Sequence, residues 1–152
     1  ARPIVGMETI IQMMETNITV KLRYPLAVRH MRYRDDDSGY IWIDGEDHVL
    51  VMHPILTEQE GTDRYDLTDQ NGIKVTQSVV STAKAGGGYN EFYFTKSDGV
   101  TVAPKIAYTE MFEPWGWAIA TGNYVDEMNE KIDSRKDAIQ KEFDPLVNPD
   151  IA

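Results

Sequence analysis

Lys105 sits in Pro104-Lys105-Ile106-Ala107-Tyr108, a stretch whose neighbours favour a strand. An ammonium enclosed there has one favourable use, a charge-assisted pair with a carboxylate whose other lone pairs go to neutral donors; enclosed without a partner it is costly. Periodicity alone favours an exposed strand lysine. Tyr40 and Trp42 stand two apart in Gly39-Tyr40-Ile41-Trp42-Ile43 and so share one strand face, where an indole beside a phenol makes an apolar wall with two donors. Core packing is the competing role for both. His53, just before Pro54, is placed to donate to a carboxylate or keto oxygen and to change charge in the ordinary imidazole range, or else to bond to backbone alone. Tyr65 and Tyr108 are further donors. Arg29 and Arg32 are further cations, with the run Asp35 to Asp37 as a competing partner for Arg32.

Other chemistries lack their residues. There is no cysteine, which removes thiolate nucleophiles, disulfides and Cys-based zinc sites. His30, His48 and His53 do not make a zinc spacing, and no Gly-x-Ser-x-Gly elbow is present. Gly86-Gly87-Gly88 follows a helical stretch instead of opening one and has no Gly-Lys-Ser/Thr, so it reads as a helix stop and not a phosphate loop. Asp35-Asp36-Asp37 lacks the spaced ligands of a calcium loop and reads as a solvated turn. No catalytic residue, metal or cofactor is expected. A net charge of −10 argues against nucleic acid, which is held by clustered Lys and Arg.

The elements that would position these side chains follow from periodicity. Met7 to Met14 recur at helical spacing, and Leu22, Leu26, Val28 and Met31 continue the pattern, with Pro25 either in the first turn of a second helix or kinking a single one. Tyr40 to Ile43 reads as a strand, Asp44-Gly45-Glu46-Asp47 as a tight hairpin, and His48 to His53 as the returning strand. Pro54 to Asp69 reads as a long loop with a short helix, of the kind that serves as a lid or binding segment. Asp69 is expected to cap a helix over Asn71 to Lys84, followed by strands over Tyr89 to Thr95, Val100 to Thr109 and Trp117 to Thr121, and a helix from about Val125 to Phe143. Trp115 and Trp117 around Gly116 are expected to seal the sheet end. The order predicts an α+β fold around one antiparallel sheet of about five strands, and 152 residues fit one domain. No run reaches the roughly 18–20 apolar residues of a membrane span, and Ala1-Arg2-Pro3 does not open a signal peptide; the chain is expected to be a segment of something longer, soluble as given.

Arg32-Tyr33, Gly39 to Ile43, Met52-His53-Pro54, Asp69-Gln70-Asn71-Gly72, Gly86-Gly87-Gly88, Pro104 to Tyr108, Phe112 to Trp117 and Thr121-Gly122-Asn123-Tyr124-Val125-Asp126 occur in one order. Together they resemble the single Cache domain, a PAS-like extracytoplasmic sensor of bacterial chemotaxis receptors and sensor kinases. The resemblance implies a non-enzymatic periplasmic or extracellular domain spanning 1–152, with a helical region 1–33, a PAS-like core 38–124 and a helix 125–143 leading toward a membrane span. It further implies a full-length protein anchored in the cytoplasmic membrane, a possible homodimer, and a small organic acid ligand such as acetate, propionate, pyruvate or lactate. Lys105 would anchor the carboxylate, Trp42 and Tyr40 would wall it, and His53, Tyr65, Tyr108 and Arg32 would supply further contacts. Phe92 stands where such domains usually carry an aromatic hydroxyl. A ligand-free PAS-like interaction module, or a small hydrolase or isomerase using His53, are the alternatives from the residues themselves.

Overall fold

The computed structural model describes residues 21, 23–34 and 36–147. The helical spacing around Met7 to Met14 and the region before residue 21 lie outside the described residues. Residues 23–29 are helical and are labelled α1, with Pro25 among them. Five strands follow, β1 (Ile41–Gly45), β2 (Leu50–Met52), β3 (Gly88–Thr95), β4 (Val102–Phe112) and β5 (Trp117–Tyr124), with α2 (Val75–Lys84) between β2 and β3 and α3 (Val125–Val147) after β5. They form one sheet in the order β2-β1-β5-β4-β3, antiparallel throughout.

Strand parity divides the molecule. In register, Trp42, Ala120 and Thr109 lie side by side, as do Tyr124, Lys105 and Phe92, and these point to the face covered by α2. There Val75, Val79, Val80 and Ala83 of α2 pack against Tyr40, Trp42, Leu50, Phe92, Ala107, Ala118 and Ala120. Each fully buried valine contributes about 1.5–3 kcal/mol of apolar burial. The opposite face receives Ile43, Met52 and Trp117, covered by Val28 of α1. Trp115 and Trp117 meet edge to face at 4.8 Å with Tyr24 beside both, closing that end of the sheet. α3 rests on β4 and β5.

Two local expectations need correction. Asp69 does not cap α2: the residue before the helix is Lys74, with no side-chain cap, because Asp69 Oδ1 takes the amides of Asn71 and Ile73 in a preceding turn and Oδ2 takes that of Tyr93. The first hairpin turns one step later than Asp-Gly chemistry suggests. Asp44 and Gly45 are still in β1, and His48 closes the turn at φ 69° by donating its amide to Gly45. Asp44 is thereby a buried strand residue on the parity of Tyr40 and Trp42. The last strands and helix also run longer than expected, β5 to Tyr124 and α3 to Val147.

Candidate ligand-binding site

Lys105 leaves β4 on the α2 face and crosses β5 to reach β1. Its ammonium donates to the Tyr40 hydroxyl at 2.8 Å and lies 4.3 Å from the ring centroids of both Tyr40 and Trp42. The crossing needs a flat middle strand. Ala118, Ala120 and Gly122 supply it, and a Cβ on Gly122 would stand 2.9 Å from Lys105 Cε and 2.6 Å from the Ile106 carbonyl oxygen. Pro104 precedes this lysine one residue beyond the last β4–β5 pair, where a missing amide does least harm to a sheet.

Lys105 is 1% exposed. Burial holds its pKa well below the ordinary lysine value, and the Arg34 charge adds to the shift. Phe94 at 5.5 Å and Tyr124 at 5.1 Å complete an aromatic surround, whose ring faces favour the cation. Burial also pushes the Tyr40 hydroxyl up to about 12, so it stays protonated beside the amine.

His53 is fully buried against the same wall, 5.1 Å from the Tyr40 ring and 6.0 Å from Phe94. Its Nδ1 accepts the amides of Ile55 and Leu56, so the neutral ring carries its proton on Nε2, and that nitrogen has no partner. Burial, then the positive charge of Lys105 and Arg64, lowers its pKa to about 2. The expected change of charge near neutral pH is therefore corrected: His53 is a fixed neutral donor.

Two further residues, which the sequence did not single out, lie beside this aromatic wall. Residues 61–64 run beside 48–50, tied by Gly61 to Leu50, Leu50 to Thr62 and Arg64 to His48 backbone bonds, which delivers Arg64 next to β1. There Arg64 Nη2 meets Asp44 Oδ1 at 2.7 Å, both nearly sealed from solvent, and Asp44 Oδ2 also accepts the Trp42 indole N–H at 3.0 Å. Burial draws the Asp44 carboxyl upward while the guanidinium and indole hold it back. The guanidinium carbon lies 5.9 Å from the Phe94 ring, and its Nε and Nη1 are buried without a hydrogen-bond partner.

The other sequence candidates lie elsewhere. Tyr65, one residue from Arg64, turns outward, half exposed, with its ring against His48 at 4.9 Å. Tyr108 is three residues from Lys105 on one strand, hence on the opposite face, where its hydroxyl donates to Glu110 at 2.6 Å. Arg32 is exposed, its guanidinium 5.9 Å from the Tyr40 ring centroid at the rim. Arg29 is taken by Glu60 at 2.6 Å, and the same carboxylate accepts the His53 amide, so this pair fixes the loop. Phe92 is buried beside Lys105 in register and offers no hydroxyl.

The sheet order, the helix between β2 and β3, and a buried lysine over an aromatic wall define the candidate site. A family profile described as single Cache domain 2 matches residues 9–137. The chain belongs to that family. Among relatives of this Cache domain, the sensor histidine kinase MctS of Rhizobium johnstonii is 32% identical over 91 residues, 60% of this chain and 20% of that protein. The Cache domain spans about a fifth of the length of the curated relatives it matches. Its fold superposes on a periplasmic sensor domain of a chemotaxis protein at TM-score 0.62 and 33% identity, covering 65% of this chain and 68% of that one. It also superposes on a Cache chemosensory domain studied for carboxylic acid recognition, at TM-score 0.68 and 27% identity over 79% and 84% of the two chains. This Cache domain is thus an extracytoplasmic sensor module of the kind carried by chemotaxis receptors and sensor kinases, a signalling domain and not an enzyme. No helix among the described residues is long and apolar enough to cross a membrane.

Proposed function

We propose that this Cache domain binds a small organic monocarboxylate, with Lys105 as its counter-charge. One observation carries the reading: a lysine 1% exposed has a phenol and aromatic faces around it but forms no salt bridge with a carboxylate among the described residues, with the orphan N–H of His53 on the same wall. A buried ammonium without a counter-ion is unfavourable, and a carboxylate restores the balance through charge-assisted bonds. Tyr40, Trp42 and Phe94 enclose the carbon chain and restrict the ligand to a few carbons, in keeping with acetate, propionate, pyruvate or lactate. The likeness to a Cache domain studied for carboxylic acid recognition supports the same class.

Signal leaves through the start of α3. Tyr40 and Tyr124 hydroxyls are 3.4 Å apart, and Tyr124 is the last residue before α3. Lys96, 5.3 Å from the Tyr124 ring, holds Asp126 and Glu127 of that helix at 2.7 and 3.2 Å, and Arg34 holds Glu127 at 3.4 Å. A ligand that moves Tyr40 against Tyr124 biases this junction by its difference in affinity for the two positions. In the full protein, residues 38–124 serve as the receiving core and α3 leads toward a membrane anchor. Exposed Ile132, Ile139 and Leu146 at seven-residue spacing on α3 offer a seam to a second copy.

The test is a thermal-shift and calorimetric panel of C2 to C4 monocarboxylates on the wild-type domain and on Lys105→Met, which keeps the aliphatic stem. A wild type stabilised by at least one acid, and a variant stabilised by none, is the expected outcome. Equal stabilisation of both proteins refutes the assignment.

A further inference from the structure

The donors in the recess outnumber what a plain carboxylate can accept. Lys105 has two N–H bonds left after Tyr40, and His53 has one, which together nearly fill the roughly four lone-pair positions of a carboxylate. Arg64 remains. Its Nη2 is committed to Asp44, while Nε and Nη1 carry N–H bonds that are buried and unanswered. Buried donors left so are costly, and native folds retain them where something else completes them.

The guanidinium is also a built feature and not a stray side chain. Its backbone is pinned to His48, its charge is met by Asp44 at 2.7 Å, and Asp44 is in turn fixed by the Trp42 indole at 3.0 Å. Arg64 and Trp42 are thus held by one carboxylate, and both border Phe94, the ring that His53 and Lys105 also approach.

We propose that Arg64 reads a second oxygen on the carbon next to the carboxylate, so that the site selects 2-oxo monocarboxylates over unsubstituted acids of the same length. This rests on the carboxylate reading of the Lys105 recess. The unanswered groups on Arg64 and His53 are all donors, which suits a keto oxygen better than a hydroxyl, since a hydroxyl brings a hydrogen that needs an acceptor. Asp44 is a positioning residue: its oxygens are occupied by Arg64 and Trp42, and it acts on the ligand only through them.

Calorimetry with pyruvate, lactate and propionate separates the cases, because the three share a carbon count and differ at C2. Leaving polar groups of such a site unpaired is heavily penalised, so the wild-type domain should bind pyruvate at least about tenfold more tightly than propionate, with lactate between. In the double substitution Arg64→Met with Asp44→Asn, which avoids stranding a buried carboxylate, the ratio of pyruvate to propionate affinity should fall toward one. A wild type that binds pyruvate and propionate equally overturns the inference while leaving the carboxylate reading intact. A folded double variant that keeps the full preference overturns the role of Arg64. Should the double variant fail to fold, the wild-type ratio still decides. Binding of none of the three acids overturns the carboxylate reading and this inference with it.

Discussion

The two faces of the sheet carry similar aromatic side chains and do opposite things with them. On the α2 face, Tyr40, Trp42, Phe94 and Tyr124 surround a buried ammonium, and the donors of His53 and Arg64 stand unanswered. On the other face, Tyr89 and Tyr108 pair at 5.0 Å near the surface, and the Tyr108 hydroxyl finds Glu110. The Tyr33 hydroxyl meets Thr121 there as well. Polar groups near solvent are completed locally, whereas on the α2 face the Lys105 ammonium is sealed with Tyr40, and His53 Nε2 and Arg64 Nε and Nη1 are buried without a partner. A tyrosine is a candidate contact only if its strand parity places it on the sealed side.

That contrast can be broken most sharply at Asp44. Asp44→Ala strands the Arg64 guanidinium in the interior, and loss of one partner of a buried pair costs about 3–5 kcal/mol, to be read in urea denaturation. A loss of less than 1 kcal/mol would show that Arg64 escapes to solvent. Next comes Gly122→Ala, which places a methyl against the Ile106 carbonyl and the Lys105 stem; overpacking there should cost about 1–3 kcal/mol and weaken carboxylate binding as well. Unchanged binding would mean that the lysine does not need its path across β5.

The pH response sharpens the comparison further. His53 has a folded pKa of about 2 against an ordinary 6.5, so the unfolded chain takes up its proton first. Stability from this group is complete above about pH 6.5 and is lost progressively as pH falls toward 2. Melting temperatures between pH 7.5 and 5 should decline in the wild type and less steeply in His53→Gln. Parallel curves would contradict a buried neutral imidazole. The smallest effects belong outside the recess: Tyr108→Phe and Tyr65→Phe should leave ligand affinity unchanged in calorimetry, and a marked loss in either would mean that the outer hydroxyls reach the ligand.

Much of this arrangement was legible before the structure. Alternation placed Tyr40 and Trp42 together, the triple glycine marked the end of α2, and the succession of strands and helices along the chain followed from turns and β-branched runs, whereas the order of the strands within the sheet did not. The errors have physical causes. Asp44-Gly45 carries strong turn chemistry, but the chain continues as strand because Asp44 gains Trp42 and Arg64 inside. Arg64 lies in a loop without periodicity, and only long-range backbone bonds to 48–50 reveal where it goes. Tyr108 stands three residues from Lys105 on one strand, and that odd spacing alone assigns it to the other face.

The central claim is that Lys105 is a buried amine awaiting an anion, and its own titration tests this most directly. Carbon-13 labelling of lysine Cε, followed by NMR against pH, should show one lysine with a pKa well below the others in the free domain, assigned by its absence in Lys105→Met, and shifted upward when pyruvate or propionate binds. A Lys105 signal that titrates with the surface lysines, and ignores every acid added, would contradict the account.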